Sequence, residues 1–125
     1  MNQVKDNAMS EVCNILRRAR ALIHRPELWC QGVSSRGAGK TMARCASRAI
    51  RDAVGPANPA LRWAADSALA RAAGVDILVL WNDAWQRSYG EIIAAFDRAI
   101  ETEENVCSTG LPPETLRHAG ATANG

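Results

Sequence analysis

GVSSRGAGKT, residues Gly32 to Thr41, decides how the chain folds. It ends in the Gly39-Lys40-Thr41 that closes a phosphate-binding loop. DILVLWND (Asp76–Asp83) follows as an apolar run ending in an acid. Read together they propose a small nucleotide-binding α/β domain. Such a loop wraps phosphates with backbone N–H groups, places its lysine on the outer phosphates and its Ser/Thr on magnesium. The spacing requires a glycine separated from Gly39 by four residues, and Ser34 stands there. A serine takes the required backbone path less easily than glycine. The sheet would also consist of LWCQGV and DILVLWND alone, and two strands do not make a stable core. The alternative is that Gly37 and Gly39 form a hinge and Lys40-Thr41 open a helix whose N–H groups hold at most a loose anion.

The flanking segments support the second reading. Val12, Ile15, Leu16, Ala19, Leu22 and Ile23 recur at helical spacing, which predicts a helix over 10–24, capped by Ser10 and stopped by Pro26. Met42, Cys45, Ala46, Ala49, Ile50 and Ala53 predict a second over 39–54. Asn58 and Pro59 open a third, which Gly74 ends. VDILVLW lacks alternation and reads as a short buried strand or extended segment over 76–81. Ser88 and Glu91 form a capping box at the head of a last helix carrying Ile92, Ile93, Phe96, Ala99 and Ile100 and ending near Glu103. The expectation is an all-α fold: a flexible segment over 1–9, one compact domain of about four amphipathic helices over 10–107, and a mobile tail over 108–125. Trp29, Trp63, Trp81 and Trp85 are available to fill what the small alanine faces leave open.

The 125 residues suit one domain. The net charge of +2 conceals an asymmetry: residues 1–51 carry +7 and residues 52–125 carry −5. The basic half offers Arg17, Arg18, Arg20, Arg36, Lys40, Arg44, Arg48 and Arg51 as a surface for nucleic acid, if the first two helices lie side by side. The acidic half can instead pair with it, within the chain or in a homo-oligomer. Four cysteines are too few for a disulfide scaffold. MNQVKDNAMSEV holds no apolar core of the kind a secretory signal needs, and no run approaches the ~20 residues of a membrane span. A cytoplasmic setting with free thiols and no membrane association follows as the expectation.

Chemical motifs are sparse. Cys13, Cys30, Cys45, Cys107, His24 and His118 lack metal-ligand spacing, so no metal and no cofactor is expected. Cys30 with His24 as base is the best thiol pair on offer, but nothing fixes its geometry. Asp83, Glu91 and Asp97 are better explained by capping and by pairing to Arg87 and Arg98 than as an acid cluster. No catalytic residue is assigned.

WCQG (Trp29–Gly32), Cys45 in RCASRAI, and WNDAWQRSYGEIIAAFDRAI resemble a family of small bacterial and phage proteins known as a domain of unknown function. The resemblance spans about Asn14–Ile100, and Trp81-Asn82-Asp83, Arg87-Ser88 and Glu91-Ile92 are its most specific part. It implies a mostly helical domain and brings no catalytic residues. The family pattern is poor in glycine where this chain has SSRGAGKT, which makes the Gly-Lys-Thr a local variation. Trp29, Trp81, Asn82, Asp83 and Arg87 then form a structural knot, with Asn82 or Asp83 capping backbone groups and Arg87 pairing with Asp83. A pocket for a small polar molecule is the rival use of the same five. The functional expectation is a non-catalytic protein-binding modulator of phage or bacterial origin, acting as an inhibitor of a host defence or regulatory complex. The alternatives are a nucleic-acid-binding accessory protein and a small-molecule or nucleotide-binding protein.

Overall fold

The computed structural model describes the backbone of residues 3–109 and the side chains of residues 11–106. Among the described residues five α-helices follow one another: α1 (Gln3–Leu22), α2 (Ala46–Val54), α3 (Pro59–Ala73), α4 (Leu78–Asp83) and α5 (Tyr89–Thr109). Two-residue strands β1 (Ser35–Arg36) and β2 (Ala43–Arg44) pair antiparallel, with Ser35 opposite Arg44 and Arg36 opposite Ala43. The fold is all-helical apart from this hairpin. The tail beyond Thr109, with His118, lies outside the described residues.

Each helix starts and stops for a local reason. The Asn58 side chain accepts from Leu61 N at 3.1 Å, Pro59 occupies the first turn of α3, and Gly74 closes it at φ +73°. That left-handed backbone favours glycine. In the capping box, Ser88 Oγ accepts from Glu91 N at 3.2 Å and Glu91 Oε1 accepts from Ser88 N at 3.1 Å. α5 runs to Thr109, past the Glu103 end expected, and buries Val106 against the core.

Three expectations are corrected. α1 begins at Gln3, so Ser10 lies within the helix and does not cap it. α2 begins at Ala46 and not at Gly39. Gly39-Lys40-Thr41 is a single 3-10 turn at the tip of the hairpin, closed by a bond from Thr41 Oγ1 to Ala38 O at 3.2 Å. No helix follows Lys40 directly, so the N–H array of a phosphate-binding loop is not built there. Finally, the segment 76–81 is not a strand. Leu78–Asp83 is one and a half turns of helix, with Leu78, Trp81 and Asn82 inward. Inward residues at i, i+3 and i+4 are helical spacing, which the β-branched neighbours disguise.

The core is a layer of small and branched side chains: Leu16 and Ala19 of α1 with Ile23 just after it, Ala46, Ala49 and Ile50 of α2, Ala65 and Leu69 of α3, and Ile92, Ala95 and Phe96 of α5, all sealed from solvent. α1 and α5 form the backbone of the bundle. Alanine on facing helices lets the axes approach closely. Of the four tryptophans, Trp81 is buried and Trp29 half-buried against this core; Trp63 and Trp85 do not fill it, being 73% and 91% exposed.

Candidate functional site

The Asn82 side chain is completely buried. Its oxygen accepts from Trp29 Nε1 at 2.7 Å and from Ala46 N at 3.0 Å. Its nitrogen donates to Cys30 O at 3.0 Å and to Asp83 Oδ1 at 2.9 Å. A primary amide has two acceptor sites and two donors, and here all four are used. The Ala46 N–H is one of the orphan donors of the first turn of α2, so Asn82 caps that helix from 36 residues away. Cys45 supplies the second cap, its sulfur accepting from Arg48 N at 3.4 Å.

The neighbours complete the junction. Gln31 Nε2 donates to Asn82 O and Ala84 O, each at 2.8 Å. Asn82 O lies in the last turn of α4, where helix carbonyls lack an intrahelical partner, and Ala84 O also accepts from Arg87 N at 2.9 Å. Asp83 Oδ1 also accepts from Gly32 N at 2.9 Å; Gly32 holds φ +81° in the turn that delivers this N–H. Arg87 stacks its guanidinium 5.4 Å from the Trp81 ring centroid and donates through Nε to Trp81 O at 3.0 Å. Its other bond goes to Glu91 at 2.6 Å and not to Asp83. Glu91 lies one helical turn beyond Arg87, whereas Asp83 is already engaged with Gly32 and Asn82. The Ser88 N–H and then Arg87 hold the Glu91 carboxyl below its ordinary value. Trp29 leans on Tyr89 at 6.3 Å between centroids, and Tyr89 Oη donates to Ile23 O at 2.7 Å.

Trp29, Trp81, Asn82, Asp83 and Arg87 therefore meet in one place. Gln31 and Cys45 belong with them, and sequence reasoning had assigned neither a role there. The glutamine was visible inside WCQG, but nothing local says that its amide reaches two carbonyls more than fifty residues away. The polar atoms of Asn82 face one another's partners and not a void.

One family model matches residues 8–102, described as a family of unknown function (DUF6197). The chain belongs to this family. No curated protein and no solved structure matches the chain significantly. The matched span runs from within α1 to within α5 and so contains the whole junction, the hairpin and the caps of α2, α3 and α5. The family description assigns no activity, so the chemistry is read from this chain.

The thiols among the described side chains of this DUF6197 member are packed. Cys13, Cys30 and Cys45 are buried and form no disulfide with one another. Burial first, then the nearby Cys45, raises the Cys30 thiol pKa, away from the thiolate a nucleophile needs. The Cys30 sulfur lies 3.5 Å from Val33 O, while His24 is exposed and turns its Nδ1 to Ala21 O at 2.8 Å. Among the described residues, no three His, Cys, Asp or Glu side chains gather as a metal site would. No described helix is long and apolar enough to cross a membrane.

The predicted basic surface is divided. Arg17 pairs with Glu104 at 3.2 Å and Arg20 with Asp97 at 2.6 Å, both across the α1–α5 seam. Arg98, expected near Asp97, instead donates to Ala72 O at 3.2 Å. Arg44 and Arg48 converge on Asp52 at 2.7 and 2.9 Å. Burial pushes the Asp52 carboxyl up, but the hydrogen bonds from Arg44 and Arg48 outweigh it and hold the pKa below the usual range. Arg18, Arg36, Lys40 and Arg51 make no ion pair among the described residues. The opposite charges of the two halves thus meet within one chain at α1 and α5.

The outer side of α4 is apolar as well. Ile77 is 55% exposed, Val79 48%, Leu80 66% and Trp85 91%. Between Ile77, Leu80, Trp81 and Ala84 lies a shallow depression of about 320 Å³, with Asp76 and Arg87 at its rim.

Proposed function

We propose that this DUF6197 protein is a non-catalytic protein-binding module that docks its partner on the outer face of α4 and the turn to Trp85. The observation that carries the reading is the exposure of Ile77, Leu80 and Trp85 beside an open depression. Large apolar side chains clustered around a concavity, with tryptophan and arginine present, have the composition of an interface centre. Asn82 and Gln31 brace α4 from behind and Arg87 holds Trp81 O beside the depression, so the face is presented rigidly and loses little entropy on binding. Asp76 is exposed and without an ion pair among the described residues, while Arg87 is engaged with Glu91. The partner that fits offers an apolar side chain to the depression and a basic one to Asp76. The resemblance to small bacterial and phage proteins suggests a host regulatory or defence complex as that partner, with inhibition as the outcome.

Co-purification from bacterial extract tests this. The wild type should retain one stoichiometric protein. Leu80→Ala or Trp85→Ala should weaken that complex by roughly 30-fold or more in Kd, as truncation of an interface anchor does. Both side chains point to water, so the stability of the free protein should change by less than about 0.5 kcal/mol. Unchanged affinity in both variants would remove this face from consideration.

A further inference from the structure

A second opening lies on a different part of the molecule. It is a cleft of about 550 Å³ between the C-terminal end of α2 and the first turn of α3, lined by Arg48, Arg51, Asp52, Gly55, Pro59 and Arg62. Its size falls within the range of small-ligand sites. Three guanidinium groups share it with one carboxylate, and that carboxylate is already bonded to Arg44 and Arg48. Arg51 is exposed and has no ion pair among the described residues. Arg62 reaches Asp66 only at 3.8 Å, too long for a hydrogen bond. Arg62 also sits in the first turn of α3, which Asn58 caps but which carries no acid, so no carboxylate there offsets the positive end of the helix. Like charges gathered with unused N–H donors beside a helix N-terminus leave the cleft in want of negative charge.

We infer that this cleft is a binding site for a di- or polyphosphate group, held by Arg51 and Arg62 beside the Arg48–Asp52 pair. Planar guanidinium groups arriving from two helices match the oxygens of such an anion in bidentate fashion. The bounded size of the cleft favours a small ligand over a nucleic-acid backbone. A duplex needs a continuous basic track, and Arg17 and Arg20 are turned to α5 instead. Lys40 does not line the cleft, so the site is separate from the Gly-Lys-Thr turn. It is also separate from the α4 face and does not depend on the protein-binding reading.

The test is calorimetric titration of the full chain with inorganic pyrophosphate at low ionic strength, with thermal shift as the second measurement. The wild type should bind and its unfolding midpoint should rise. Arg51→Gln and Arg62→Gln should each reduce affinity about tenfold or more, as loss of a charge-assisted contact does, while Arg18→Gln and Trp85→Ala should bind as the wild type does. ATP that competes with pyrophosphate assigns the site to nucleotide phosphates, and ATP that does not assigns it to the free anion. Either supports the inference. No binding of pyrophosphate, equal binding by both cleft variants, or binding of a DNA duplex without binding of pyrophosphate would overturn it.

Discussion

Asn82 shows how one side chain can set a fold. Its amide joins the segment after Trp29, the head of α2 and the end of α4 through four hydrogen bonds with no contact to water. Truncation would strip partners from the Trp29 indole, the Ala46 amide and the Cys30 carbonyl together. Each buried group left unpaired costs about 1–3 kcal/mol, so Asn82→Ala should lose about 3–5 kcal/mol in urea unfolding. A loss under about 1 kcal/mol would mean that water replaces the amide and that the junction is not what holds α4. Asp66 gives a prediction of opposite character. Its Oδ1 is buried and unpartnered, and burial raises its carboxyl pKa, with Arg62 offsetting this only in part. A folded pKa above the unfolded one means that the native state holds the proton more tightly. Stability from this group then falls as pH rises from the ordinary carboxylate value through the folded pKa. Asp66→Asn removes that dependence. Its stability advantage over the wild type should grow as pH rises above the ordinary carboxylate value of about 4, and a constant difference would show that Asp66 is solvated in the folded protein.

Helix boundaries were legible wherever the cap is local. Asn58 with Pro59, Gly74, and Ser88 with Glu91 all act within four residues, so the chain announces them. Ser88→Ala should accordingly cost about 1 kcal/mol, read from the denaturant midpoint. The head of α2 was not legible, because its caps are a cysteine sulfur and an asparagine 36 residues away. Without those, Met42 and Cys45 looked like part of the helical stripe, and the hairpin over 35–44 was hidden inside a supposed helix start. α4 was hidden for another reason. Six residues are too short for periodicity to speak, and intrinsic preference for strand in Ile77 and Val79 is overridden by the long-range bonds from Gln31 and Asn82.

The whole molecule is a bundle whose oily layer was readable from alanine and leucine spacing, but whose fastening was not. The five residues singled out around Trp81-Asn82-Asp83 do converge, yet the partner of Arg87 and the involvement of Gln31 depend on where two distant turns meet in space. That dependence makes the domain cooperative. Opening the junction would uncap α2, release α4 from the core and free the Trp29 ring in one event, because the same amide serves all three. The amide of Ala46 and the indole N–H of Trp29 should therefore exchange with deuterium only through global unfolding, on the free energy measured by denaturant. The exposed amides of the hairpin tip around Gly37 to Lys40, which lie outside this network, should exchange orders of magnitude faster. In Asn82→Ala the two groups of sites should converge, since the Ala46 amide and the Trp29 indole then lose their acceptor. If Ala46 in the wild type already exchanges at the rate of the hairpin tip, α2 opens independently, and the junction fastens α4 alone.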